Sequence, residues 1–100
     1  MARHIAIAGA GFAGAVIAHE LSKTGKYKIT LFEERPHLGG NCHTRRDPDS
    51  GIMLHEYGPH IFHTSREDVW AYVNQFARFG SYTNRVKAVT HRGVFSLPIN

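Results

Sequence analysis

Cysteine is nearly absent from this chain of 100 residues: Cys42 stands alone, so no intrachain disulfide can form. Such cysteine usage suits a reducing cytosol, and the expected location is cytoplasmic. A nucleophilic role for Cys42 would require a base and an electropositive setting, so it is read as an inert thiol. Acidic residues are also few, with 8 Asp and Glu against 12 Lys and Arg and a net charge of +4. A basic surplus can serve nucleic acid, a membrane surface or acidic ligands. Here the cations are scattered, Arg45-Arg46 is the one Lys/Arg doublet, and no basic run interleaves with aromatics. A nucleic-acid partner is therefore not expected. Long apolar runs are missing too. Ala6 to Ala18 is apolar but too short and glycine-broken to span a bilayer, and no signal peptide is evident. Neither repeats nor low-complexity tracts occur, and the length allows about one small domain.

What the chain does have is glycine in a particular order. Ile5-Ala6-Ile7-Ala8 reads as the body of a buried strand starting at His4. Gly9-Ala10-Gly11-Phe12-Ala13-Gly14 follows, and Ala13, Ile17 and Leu21 then recur at helical spacing with Val16 beside them. Gly25 marks a helix stop, and Lys28-Ile29-Thr30-Leu31-Phe32 reads as a second strand, parallel to the first because a helix joins them. Each glycine has a separate task in a dinucleotide-binding turn. Gly9 permits the tight turn, Gly11 leaves room for a pyrophosphate, and Gly14 lets the helix lie close on the strand. The unpaired N–H groups of the helix start, around Phe12 and Ala13, then face the phosphates. The competing reading is a glycine turn that merely packs tightly. Glu33 ends the second strand about 20 residues on, where a carboxylate receives ribose hydroxyls and repels a 2′-phosphate. Arg35 softens that exclusion, and Glu34, read alone, is a solvated charge. Gly39-Gly40-Asn41 adds a second pair of small residues directly after the strand. Such a doublet lets the chain pass near a cofactor, although Pro36 and the glycines would also make an ordinary loop.

The second half offers weaker signals. Asp47-Pro48-Asp49-Ser50-Gly51 is a turn between residues 42–46 and 52–56, giving a hairpin or an irregular excursion. Thr64-Ser65-Arg66-Glu67 has capping-box spacing, with Thr64 as the cap. Val69, Val73, Phe76 and Ala77 form an apolar stripe flanked by Trp70 and ended by Gly80, with Trp70 and Phe76 expected in the core. Residues 85–90 and 93–97 read as strands joined at His91-Arg92-Gly93. His60 and His63 could share a metal or form a packed structural pair. Pro59 argues for a loop there, and no third ligand sits at a convincing spacing. His43 and His55 would count only if the fold delivered them, so no metal is assigned.

Beyond the glycine turn, Gly39-Gly40-Asn41, Tyr57-Gly58-Pro59-His60-Ile61-Phe62-His63-Thr64, Tyr82-Thr83-Asn84-Arg85-Val86-Lys87-Ala88 and Ser96-Leu97-Pro98-Ile99-Asn100 carry a resemblance. Together they make the chain similar to the N-terminal part of UDP-galactopyranose mutases across essentially all 100 residues, with Ala13 where a serine is also common. The resemblance implies an α/β fold with a Rossmann-like parallel core of the glutathione-reductase-like flavoprotein kind, incomplete here. Residues 1–40 would be its βαβ unit and 41–100 the start of the flavin and substrate side. It implies FAD, active when reduced, acting as nucleophile toward the sugar with no net redox change. The implied cofactor set is Gly9, Gly11, Phe12, Ala13, Gly14, Glu33, Glu34, Arg35, Gly39, Gly40, Asn41, His60 and Ile61. His60 is the implied catalytic residue, tuning the reduced flavin, while His63 and Asn84 are implied on the substrate side. Asn84 also reads as a strand-start turn residue. UDP-galactose is the implied substrate of the complete enzyme, which can be a homodimer, and the 100 residues are read as a fragment not expected to catalyse alone. Two other readings stay open: a flavin amine oxidase-like oxidoreductase, which shares both glycine motifs, and a non-catalytic dinucleotide-binding fragment.

Overall fold

A computed structural model describes residues 3–97 of the chain. They fall into two compact units divided between His60 and Ile61.

The first unit opens with strand β1 (Arg3–Ala8), helix α1 (Phe12–Lys23) and strand β2 (Tyr27–Phe32). The strands pair in parallel, in register from Arg3↔Tyr27 to Ala8↔Phe32. Parallel neighbours need a crossover, and α1 supplies it, packing against both strands. Its twelve residues are rich in alanine and leave the helix at Thr24, whose N–H donates to the Leu21 carbonyl at 3.2 Å. The close seat of α1 depends on Gly14. A Cβ there would stand 1.9 Å from the Gly9 carbonyl oxygen and 3.4 Å from Ile7 Cγ2. The expected strand–helix–strand order is thus present, one residue longer at the start of each strand.

A 3₁₀ turn (Gly40–Cys42) leads into an antiparallel hairpin of β3 (Thr44–Arg46) and β4 (Met53–His55). Asp47 makes its turn. The carboxylate accepts from the Ser50 N–H at 2.9 Å and the Ser50 hydroxyl at 2.6 Å, while Gly51 N–H returns to the Asp47 carbonyl at 2.8 Å. The Ser50 hydroxyl, followed by the Ser50 N–H, holds the Asp47 carboxyl below the usual aspartate range.

The second unit contains helix α2 (Glu67–Val73) and an antiparallel hairpin of β5 (Lys87–Thr90) and β6 (Gly93–Ser96). The β5–β6 pairing agrees with the sequence reading, with slightly shorter strands. The α2 ends do not. Arg66, not Thr64, is the N-cap, and the Thr64 hydroxyl accepts from the Arg66 N–H at 3.1 Å in a local turn. No side-chain cap forms, because a guanidinium has no acceptor; Arg66 donates through Nε and Nη2 to Asp68, at 3.0 and 2.6 Å. Gly80 does not end the helix either. Asn74 does, its side chain donating to the Trp70 carbonyl at 2.8 Å and accepting from the Phe79 N–H at 3.2 Å. Trp70 and Phe76 are not core residues as expected, being 43% and 57% exposed. Trp70 packs beside Phe62 and Phe79, and only Ala10 and Val73 are buried apolar residues among those described. Two small units bury little surface each, so apolar periodicity does not guarantee burial. The closing residues Pro98, Ile99 and Asn100 of the resemblance lie outside the described residues.

Candidate functional site

The two glycine segments meet. The Gly9 N–H donates to the Phe32 carbonyl at 2.7 Å, carrying the β1–β2 ladder one residue past the end of β1. Gly9 has φ +100°, which only glycine adopts without strain, and this turns the chain into α1. The Gly39 N–H then donates to the Ala10 carbonyl at 2.9 Å. That bond lays Gly40 against Gly11, so that a Cβ at Gly40 would stand 3.2 Å from the Gly11 Cα. Two stretches of bare backbone therefore face each other at the carboxyl ends of the parallel strands. Ligands of open α/β sheets bind at this end.

The helix start is chemically open. Gly11 is its N-cap and no acid stands in the first turn. Phe12 and Ala13 are exposed, and the Ala15 N–H makes a helical bond to Gly11 at 3.0 Å. The preceding N–H groups are those that an α-helix leaves for a ligand. The side of Gly11 where a Cβ would project points at Gly40 Cα, 3.8 Å from it.

Glu33 sits between the segments. One carboxylate oxygen accepts from the Ala10 N–H at 2.6 Å and the other from the Arg35 N–H at 3.2 Å. The Ala10 bond, followed by the Arg35 bond, holds this carboxyl below the ordinary glutamate value of 4.5. Glu33 and Glu34 line a depression of about 480 Å³ together with Ala8, Gly9 and Phe32. Arg35 turns the other way. Its guanidinium lies 4.2 Å from the centre of the Tyr57 ring and donates to Asn41 Oδ1 at 2.9 Å. Gly9, Gly11, Glu33, Arg35, Gly39, Gly40 and Asn41 are therefore brought together. His60 is exposed at the end of this unit, while Ile61, His63 and Asn84 are exposed residues of the second unit.

One cluster has no counterpart in the sequence reading. His37 Nε2 is 2.7 Å from the Tyr57 hydroxyl, and its ring stacks on His43 at 3.8 Å with planes 10° apart. Glu56 lies 4.0 Å from His43 Nε2 and pairs with Arg45. Ligand atoms of His37, His43 and Glu56 come within 4.8 Å of one another. A shared ion does not suit them. Stacked imidazoles keep their in-plane lone pairs in two separate, nearly parallel planes, and both His37 nitrogens are already engaged, Nδ1 with the Leu38 carbonyl at 3.1 Å and Nε2 with Tyr57. The signal for this cluster lay in Arg35, His37 and Tyr57, but only the β3–β4 hairpin folds the last back over the first two.

Fold and site together define a dinucleotide-binding domain of the Rossmann type. The chain belongs to the NAD(P)-binding Rossmann-like domain family, whose model matches residues 7–76. It is 53% identical over 98% of its length to a probable UDP-galactopyranose mutase of Klebsiella pneumoniae. It is 47% identical over 96% to the dTDP-fucopyranose mutase of Escherichia coli, and 41% identical over 80% to the UDP-galactopyranose mutase of Mycoplasma pneumoniae. The resemblance drawn from the motifs is thereby borne out. The chain spans about a quarter of the first two relatives and a fifth of the third, matching 25%, 25% and 20% of their lengths.

Proposed function

We propose that these residues hold FAD within a full-length UDP-galactopyranose mutase, which interconverts UDP-galactopyranose and UDP-galactofuranose. The observation that carries this reading is the junction of Gly11 with Gly40, fastened by the Gly39–Ala10 hydrogen bond. A nicotinamide site needs the first glycine segment only. The second one, seated on it, suits a flavin dinucleotide. The relatives' names supply the sugar-nucleotide class.

The residues fit the cofactor. Backbone N–H groups at Phe12 and Ala13 would receive the pyrophosphate at the helix start. Glu33, already holding Ala10 and Arg35, keeps lone pairs for ribose hydroxyls and disfavours a 2′-phosphate. Glu34, Arg35 and Asn41 would complete the adenosine side. A reduced flavin supplies a nucleophile and returns to its starting oxidation state in each cycle. His60 would hydrogen-bond near the reacting ring, with Ile61 beside it, while His63 and Asn84 would meet the sugar. The complete enzyme would act in the cytoplasm and can pair as a homodimer. Among the described residues no helix is long and apolar enough to cross a membrane.

The test is an absorbance spectrum of the purified full-length protein, then sugar isomerisation with and without dithionite. A flavin spectrum, with turnover that requires reduction but consumes no reductant per product, is expected. Stoichiometric consumption of reductant or oxidant would favour an amine oxidase-like enzyme instead.

A further inference from the structure

We propose that Tyr57 is a positioning residue, which fixes the Gly58-Pro59-His60 loop to the second glycine segment and so sets where His60 meets the flavin. The inference rests on the flavin reading above and adds to it a residue that touches neither cofactor nor substrate in that reading.

Tyr57 is held at both ends of its side chain. Arg35 lies on the ring face at 4.2 Å, and its guanidinium is itself fixed by Asn41 in the turn after Gly39. The hydroxyl meets His37 Nε2 at 2.7 Å. The tautomer follows from the other nitrogen. Nδ1 faces a carbonyl, that of Leu38, so it carries the proton, and the neutral ring's Nε2 accepts from the Tyr57 hydroxyl. His37 is in turn braced by its stack on His43. The residue before Tyr57 is also anchored, since Glu56 pairs with Arg45 and faces His43. Two consecutive residues are therefore tied to side chains on both sides. The backbone then turns at once. The Gly58 N–H donates to the His55 carbonyl at 3.3 Å, Gly58 has φ +87°, and Pro59 fixes its own φ. Few free torsions remain between the Tyr57 anchor and His60. A slack anchor would displace His60, and small misplacements of a working group can cost up to about a hundredfold in rate.

The experiment uses full-length protein and a double-mutant cycle of Tyr57→Phe and His37→Phe, which deletes the hydroxyl–imidazole bond while keeping both flat rings. The first readout is hydrogen exchange of the Gly58 amide without added ligand. Each single variant should speed it by about three- to tenfold, the usual effect of one lost hydrogen bond. The double variant should be no faster than the singles, because both remove the same bond. The second readout is kinetic. Tyr57→Phe should lower kcat by about three- to tenfold, with flavin content and the KM for UDP-galactose within about twofold of wild type. Tyr57→Leu, which also removes the seat of Arg35, should lower kcat further. Unchanged Gly58 exchange and kcat in Tyr57→Phe would overturn the proposal. So would flavin content falling in step with kcat, which would make Tyr57 a cofactor-retaining residue instead. A colourless wild type in which Gly58 exchange still rises would leave the tie standing as structure but remove the flavin reading and the purpose assigned to it.

Discussion

Glu33 prepares the glycine turn before any ligand arrives. It joins Ala10 to Arg35, two backbone positions on either side of the crevice, through its two oxygens. Its pKa is lowered in the folded chain, mainly by the Ala10 bond. The tie therefore contributes stability above the ordinary glutamate value and is lost only as pH falls through the lower, folded one. The Ala10 amide resonance in full-length protein should follow Glu33 with a midpoint below 4.5; a midpoint at or above it would refute the tie. Glu33→Ala should weaken FAD binding more than UDP-sugar binding in parallel titrations. Equal losses would argue against its place at the ribose. The spacing from the glycines singled out Glu33 as the candidate for the ribose. Its bond to Ala10 was not legible, because the two are 23 residues apart and meet only once the strands are in register. The Tyr57 anchor was hidden for the same reason, spanning 20 residues from His37.

Helix α1 and the β1–β2 pair act as one element, and Gly14 is where they touch. A methyl group there would overlap the Gly9 carbonyl, so Gly14→Ala must push helix from strand. We expect it to cost about 1–3 kcal/mol in chemical denaturation of the full-length protein, the usual range for overpacking. It should loosen flavin as well, and unaltered stability would show that the helix can retreat freely. The β3–β4 turn depends on Asp47 in a similar local way. Asp47→Ala should speed amide exchange at Ser50 while sparing β1 and β2, and unchanged exchange there would mean that Gly51 alone makes the turn. These elements could be read from the chain because their determinants are local: apolar period, glycine at forced positions, and a Pro-Asp-Ser-Gly turn. The ends of α2 could not. Thr64 and Glu67 have capping spacing, yet the Thr64 hydroxyl is taken up by the Arg66 N–H in a local turn, and the helix starts after Arg66. Trp70 likewise has the right period for a core, but the partners it finds are Phe62 and Phe79 at a half-open surface.

The chain belongs to the NAD(P)-binding Rossmann-like family over residues 7–76 and spans a quarter of the Klebsiella pneumoniae and Escherichia coli mutases it is similar to. Its described residues divide into one unit that carries the glycine junction and another that carries His63 and Asn84. The proposed chemistry on a sugar nucleotide is therefore to be tested in the full-length protein. There, His60→Ala should lower turnover by roughly ten- to a hundredfold, the worth of one hydrogen bond to a charged group, with flavin content nearly unchanged. Parallel loss of both would make His60 a retention residue. The glycine junction itself is tested most directly by the flavin content of purified full-length protein, wild type beside Gly11→Val. A Cβ at position 11 would already touch Gly40 Cα at 3.8 Å, and a valine side chain there would take the space in which a pyrophosphate approaches the backbone. The expected result is about one flavin per wild-type chain and almost none in the variant. A colourless wild type, or a variant with equal flavin content, would contradict it.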